Sequence, residues 1–265
     1  MSEPPLRDVW DEIDGMRVHG RASDRAVAGE PVAGRHAVFV HGLGMATDYL
    51  EPAMRLVATG LAVSGLDLPG FGRSRLRRQI LSLGELADAL TKWMSVRGIV
   101  APILIGQSHG CQVVVEAVAR DARLASALVL NAPTMIAEHR TVAAQLIRVA
   151  RDTPREPFAL VPHVVRDWAR AGPARMIATL RDAVRDRIED KLARVDVPVT
   201  IVNGARDPVS PPAWGERLAR LTGTRVGGAG ARYVVVAGAA HAVPFSRPAA
   251  LAAEVVGMAR RVAGS

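Results

Sequence analysis

Ile103-Leu104-Ile105-Gly106-Gln107-Ser108-His109-Gly110 reads as a short apolar strand running into the pattern G-x-S-x-G. The run 103–105 predicts a buried strand, and the apolar stretch Val113–Ala119 that follows predicts a helix. A serine on a sharp turn between a strand and a helix takes up a strained backbone and holds its Oγ above the sheet. Side chains two residues to either side would collide with the neighbouring strand or helix, so glycine suits positions 106 and 110.

Working outward, short apolar runs alternate with helix-like segments. Ala37–Val40, Ala62–Leu66, Ala127–Leu130, Val199–Val202 and Tyr233–Val236 each predict a buried strand bounded by Gly, Pro, Asp or Asn. Near-continuous apolar strands suit a parallel sheet covered on both faces. Helical spacing runs through residues 47–58, 83–96, 110–121, 212–221 and 248–262. The alternation implies βαβ units in a doubly wound, mostly parallel α/β sheet. A further strand is expected through Met16–Arg21 at the sheet edge. Residues 134–194 break the rhythm. They have helical spacing, interrupted by Pro154, Pro157, Pro162 and Pro173, which predicts several short helices. The expected organisation is a core of residues 1–133 and 195–265 with a helical lid, 134–194. The lid's apolar residues Leu146, Val149, Phe158, Val161, Val165 and Trp168 are expected to face a pocket.

A serine hydroxyl is a poor nucleophile without a base. His241 follows the last apolar strand in Gly238-Ala239-Ala240-His241, where small neighbours free the loop to place an imidazole near Ser108. A base of this kind predicts an acid limb in the rate profile with a midpoint of about 6 to 7. The imidazole needs an acid to fix its tautomer. Asp207, just after the strand Val199–Val202, comes out at the same sheet edge, and the order Ser…Asp…His suits this kind of sheet. After the strand ending at Leu130, the chain reads Asn131-Ala132-Pro133, an amide and no carboxylate. An oxyanion needs two N–H donors. The expected pair is the backbone N–H of His109, at a helix start, and that of Leu43 in His41-Gly42-Leu43-Gly44.

With these pieces placed, the sequence resembles the α/β-hydrolase family. The resemblance is carried by His41-Gly42-Leu43-Gly44, Asp67-Leu68-Pro69-Gly70-Phe71-Gly72-Arg73-Ser74, Gly106–Gly110, Gly204-Ala205-Arg206-Asp207-Pro208 and Gly238–His241, spanning about residues 36–262. It implies eight mostly parallel strands, a helical cap after the sixth strand, and no cofactor or metal. His109 departs from the Met, Phe or Tyr that relatives often carry there. Relatives with aspartate in place of Ser108 act as dehalogenases or epoxide hydrolases, which the serine argues against. The expected function is hydrolysis of a carboxylic ester, or of a thioester or lactone, on a small to medium, partly apolar substrate through an acyl-enzyme. One alternative is a carbon–carbon bond hydrolase of a dienoic diketone, with Arg140, Arg148 or Arg166 holding the substrate carboxylate. Another is a non-catalytic small-molecule receptor on the same fold.

Composition agrees with a packed globular chain: 265 residues, 49% hydrophobic, 4% aromatic. The net charge of +8 comes mostly from scattered arginines. The segment from Arg181 to Lys191 mixes them with Asp182, Asp186, Glu189 and Asp190 and predicts a solvated helix face. The dense cluster Arg73, Arg75, Arg77 and Arg78 lacks interleaved aromatics, so no nucleic-acid partner is expected. A single cysteine, Cys111, excludes an intrachain disulfide and is expected to be a buried small hydrophobe. Met1–Glu12 lacks the apolar core of a signal peptide, and no stretch of about 18 apolar residues occurs, so a cytoplasmic protein without a membrane span is expected.

Overall fold

In the computed structural model, which describes residues 5–23, 36–76, 79–222 and 231–264, eight strands form one sheet. They are β1 (Leu6–Ile13), β2 (Met16–Ser23), β3 (His36–Val40), β4 (Ala62–Leu66), β5 (Ile103–Gln107), β6 (Ala127–Asn131), β7 (Val199–Gly204) and β8 (Arg232–Val236). Their spatial order is β1-β2-β4-β3-β5-β6-β7-β8. β2 runs antiparallel to both β1 and β4, and every other pairing is parallel. The sequence reading made β2 the edge strand; β1 is the edge and β2 lies inside it. β1 escaped notice because only Leu6 and Ile13 of its eight residues are buried, leaving no apolar run. Its signal was the Asp14-Gly15 pair, both at positive φ, closing a two-residue hairpin between Ile13 and Met16.

Ten helices run in chain order among the described residues: α1 (Glu51–Val57), α2 (Leu83–Val96), α3 (His109–Arg120), α4 (Val142–Asp152), α5 (Val161–Ala171), α6 (Pro173–Ala183), α7 (Ile188–Leu192), α8 (Pro212–Leu221), α9 (Val243–Ser246) and α10 (Pro248–Ala263). α2 shows why they form where they do. Ser82 and Glu85 close a capping box at its start, and Leu83, Leu86, Ala87, Leu90, Trp93 and Met94 recur at helical spacing on its buried face.

The sheet divides the apolar interior in two, because successive side chains of a strand point to opposite faces. Val38, Val40, Leu104, Leu128 and Leu130 pack with α2, α3, α7 and α8 on one side. Ala37, Phe39, Ile103, Ile105, Ala127 and Val129 pack with α1, α9 and α10 on the other. All described elements between β6 and β7 are helical, α4 to α7 with three short 3-10 turns. The run 181–191 is only partly a solvated face. Asp186 and Glu189 are buried, paired with Lys191 and Arg140 respectively, because α7 packs on α3. Of the basic cluster, Arg73 pairs with Asp8, while Arg77 and Arg78 lie outside the described residues. No described helix is long and apolar enough to cross a membrane.

Candidate active site

β5 ends at Gln107, and the next residue turns the chain into α3. Ser108 holds φ 55° and ψ −120°, a conformation costing a residue with a side chain about 1–3 kcal/mol. Its surroundings enforce it. Ser108 N–H donates to the Asn131 carbonyl at 2.9 Å, and the Ser108 carbonyl accepts from Cys111 N–H at 3.0 Å. The two motif glycines sit where the chain leaves no room. A Cβ on Gly106 would lie 2.6 Å from Cys111 Cα, and one on Gly110 would lie 2.3 Å from the Val40 carbonyl oxygen. His109 is the first residue of α3, so its N–H is among those with no partner inside the helix. Its imidazole is buried and neutral: desolvation, aided by the nearby His41, lowers its pKa to about 4. Cys111 is fully buried, its Sγ within 3.2 Å of the Gly106 and Asn131 carbonyl oxygens.

The loop after β3 abuts the serine. A Cβ on Gly42 would stand 3.2 Å from Ser108 Cβ. Met45 N–H closes a turn onto the Gly42 carbonyl at 3.2 Å, and Gly44, third in that turn, has φ +75°. Buried His41 fastens this loop to the one after β4. Its Nε2 accepts from Leu68 N–H at 2.9 Å, so its Nδ1 carries the proton donated to the Gly42 carbonyl at 2.8 Å. Asp67, also buried, gathers the same region by accepting from Thr47 N–H, Arg73 N–H and His19.

His241 and Asp207 meet across two further loops. His241 Nδ1 and Asp207 Oδ2 are 2.8 Å apart, while Asp207 Oδ1 accepts from Val209 N–H at 2.7 Å and Ser210 N–H at 2.9 Å. The loops are joined by Ala205 N–H to the Val236 carbonyl and Arg206 N–H to the Ala239 carbonyl. With Nδ1–H given to Asp207, Nε2 is left as the basic nitrogen. Burial works against the imidazolium. The charge and hydrogen bond of Asp207, with smaller contributions from Asp152 and Glu156, outweigh it and push the pKa of His241 up to about 9. The sequence had suggested about 6 to 7; it gave no view of the carboxylates packed around the ring.

Sequence reasoning missed a relay beneath the serine. Gly42 N–H donates to Tyr49 Oη at 3.1 Å, Tyr49 donates to Gln107 Oε1, and Gln107 Nε2 donates to the His241 carbonyl at 3.3 Å. Tyr49 and Gln107 are buried, and the relay ties together the loops bearing positions 42, 108 and 241. The only signal was the middle residue of Gly106-Gln107-Ser108 being a polar side chain inside an apolar run.

The segment 134–194 touches these loops from above the sheet edge. Met176 and Trp168 occupy the space a Cβ on Gly44 would need, Arg148 donates to the Pro208 carbonyl at 2.7 Å, and Glu156 accepts from Ala242 N–H at 2.6 Å. The expected apolar inner face is corrected in part. Leu146, Phe158, Val161, Val165 and Trp168 are exposed, Trp168 despite its contact beside Gly44, and the buried positions of α4 and α5 include Gln145, Asp152 and Asp167, because α4 and α5 turn their polar sides toward the loops. The arginines considered for a substrate carboxylate are engaged elsewhere: Arg140 with Glu189, Arg148 with Pro208, and Arg166 with Asp48 and Asp167. No cluster of His, Cys, Asp or Glu suited to a metal ion occurs among the described residues.

The model of the alpha/beta hydrolase family matches residues 37–254. The chain belongs to the α/β-hydrolase family. Among curated proteins, this α/β-hydrolase is similar to pimeloyl-[acyl-carrier protein] methyl ester esterases of Neisseria meningitidis. It is 29% identical to that of serogroup C over 84% of this chain and 93% of the relative, and 27% identical to that of serogroup A over 84% and 76%. Among solved structures it is similar to an N-acyl homoserine lactonase (TM-score 0.75, 21% identity, 97% of this chain and 98% of that one). It also superposes on an enol-lactonase from Burkholderia xenovorans (TM-score 0.76, 21% identity, 94% and 99%). The class expected from the sequence, a carboxylic ester hydrolase of the α/β-hydrolase fold, is borne out by these relatives.

Proposed function

We propose that this α/β-hydrolase cleaves its ester through an acyl-enzyme on Ser108, with His241 as general base and Asp207 as the acid that orients it. The observation that carries this reading is the contact between His241 Nδ1 and Asp207 Oδ2, in loops linked through Gln107 to the strained turn at Ser108. In the first half of the reaction, His241 Nε2 takes the Ser108 hydroxyl proton as Oγ attacks the ester carbonyl. The main-chain N–H groups of Leu43 and His109 receive the oxyanion, the second aided by the α3 dipole. The imidazolium then protonates the departing alcohol, and a water activated by the same nitrogen releases the acid.

Residues 134–194 act in this reading as a lid that selects the acyl group, with Trp168 and Met176 packed beside Gly44. The substrate is a small to medium, partly apolar ester, and a methyl-esterified acyl chain of the kind named for the Neisseria relatives is the first compound to try. Engagement of Arg140, Arg148 and Arg166 within the protein leaves the carbon–carbon bond alternative without its expected carboxylate anchor. The test is turnover of methyl and p-nitrophenyl esters of graded acyl length by the wild type and Ser108→Ala. The reading predicts hydrolysis by the wild type alone. Binding of esters without turnover would instead indicate the receptor.

A further inference from the structure

Two carboxyl groups from the inserted segment lie against the histidine loop, and the chemistry described so far does not use them. Glu156 Oε1 accepts from Ala242 N–H, the amide next to His241, at 2.6 Å. Asp152, the buried last residue of α4, faces the His241 main chain and the Glu156 carboxyl. Its position is costly twice over: it is shielded from water, and it stands at the negative end of a helix dipole. Asp152 Oδ1 and Glu156 Oε2 are buried with no hydrogen-bond donor among the described residues. Among the described residues neither group forms an ion pair with an arginine, although Arg148 lies one turn earlier on α4. Its guanidinium is spent on the Pro208 carbonyl, and Arg155 turns out to the Arg151 carbonyl.

The geometry points to Asp152 and Glu156 as positioning residues for the reaction: a buried acid pair that fastens the segment bearing His241 and fixes how readily that imidazole releases its proton. This rests on the proposed role of His241 as base. Burial raises both carboxyls above their ordinary values against the pull of His241; the Asp207 charge raises each further and the Glu156 charge raises Asp152, to about 7, so near neutrality the pair keeps part of its negative charge. The other groups facing it are His241 and Asp207 from the loops after β8 and β7, and the Tyr49 phenol, which stays neutral. His163 on α5 packs edge-on against Phe245 in the same neighbourhood. The negative charge behind His241 adds to that of Asp207, so the base is available only at raised pH. Because both carboxyls come from the segment above the site, any movement of that segment also changes the field at the base.

The experiment uses the full chain as wild type, Asp152→Asn, Glu156→Gln and His241→Ala. It records kcat/KM for a p-nitrophenyl ester from pH 5 to 10, and the His241 imidazole by NMR across the same range. Glu156→Gln keeps an acceptor for Ala242 N–H while removing the charge, so it reports on the field even where Asp152→Asn fails to fold. The expected result is an acid-limb midpoint near 9 in the wild type. In each amide variant that midpoint, and the NMR titration of His241, should fall by about one unit, with kcat/KM at pH 7 rising about tenfold. Variants that lose activity equally at every pH, with the His241 titration unmoved, would overturn the proposal while leaving the base assignment intact. An active His241→Ala would instead overturn the assignment on which the proposal rests.

Discussion

Gly106→Ala tests how the turn at Ser108 is held. An ideal Cβ at position 106 would lie 2.6 Å from Cys111 Cα and 2.7 Å from both Cys111 N and the Gly110 carbonyl oxygen. Carbon contacts normally settle at about 3.5–4.0 Å, so the methyl overlaps three atoms by about 1 Å each. All three belong to the backbone of the first turn of α3, so no side-chain rotation relieves the clash. The helix start must move away from β5, and Ser108 moves with it. Overpacking of this kind costs about 3 kcal/mol, the upper end of its usual range. For a chain of this size that corresponds to a fall in Tm of about 6–12 °C. A displacement of about 1 Å at the reacting group costs about 10²-fold in kcat/KM. The control is Gly60→Ala, where a Cβ would meet nothing within 4 Å, so its stability should stay within about 0.5 kcal/mol of the wild type. Thermal unfolding and ester hydrolysis would be measured on both. If Gly106→Ala matched Gly60→Ala in Tm and rate, the steric account of the motif would be wrong.

Asp207→Asn should lower kcat by about 10⁴-fold with an unchanged circular dichroism spectrum, because the amide oxygen can still accept from Val209 and Ser210 while the support for the imidazolium is lost. Trp168→Ala and Met176→Ala should each change the kcat/KM ratio of octanoyl over acetyl esters by about tenfold, a shift that assays of both esters would read directly. Asp67→Asn should cost about 3 kcal/mol in urea unfolding at pH 7. Burial alone would raise the Asp67 carboxyl, but the hydrogen bond from His19 and the neighbouring histidines and amides hold it well below its ordinary 3.8. A depressed carboxylate stabilises the fold above that value and loses its contribution as the pH falls through the folded-state value, so the wild type's advantage over the variant should shrink at pH 3.

The sequence carried most of the frame because its parallel strands, the outermost strand β8 excepted, are buried on both faces, and such strands print themselves as unbroken apolar runs. β4 and β5 are buried along their whole length, and both stood out. β1 did not, since an edge strand facing water needs no such run. The meeting of His241 with Asp207 was legible because both follow apolar strands ending at one sheet edge, although β8, expected to be buried, lies at the side of the sheet with Val235 exposed and only Val236 buried. The raised proton affinity of His241 was not. Beyond the charge and hydrogen bond of Asp207 it draws on Asp152 and Glu156, more than 80 residues earlier in the chain, inside a segment whose helices show an apolar stripe that the structure leaves exposed at Phe158 and Val165. Amphipathic spacing reveals that a helix has two faces, and only packing decides which of them turns inward. Gln107 and Tyr49 escaped for a related reason: a buried hydrogen-bond relay has no period in the sequence.

The proposed mechanism stands on Ser108 as the nucleophile. The most direct measurement is intact-protein mass spectrometry after exposure to a fluorophosphonate, followed by peptide mapping, on the wild type and Ser108→Ala. Expected are one adduct per chain on Ser108, loss of ester hydrolysis in proportion to labelling, and neither labelling nor turnover in the variant, with kcat reduced by about 10⁶-fold. An adduct on any other serine, or a Ser108→Ala protein that still hydrolyses esters at near the wild-type rate, would contradict it.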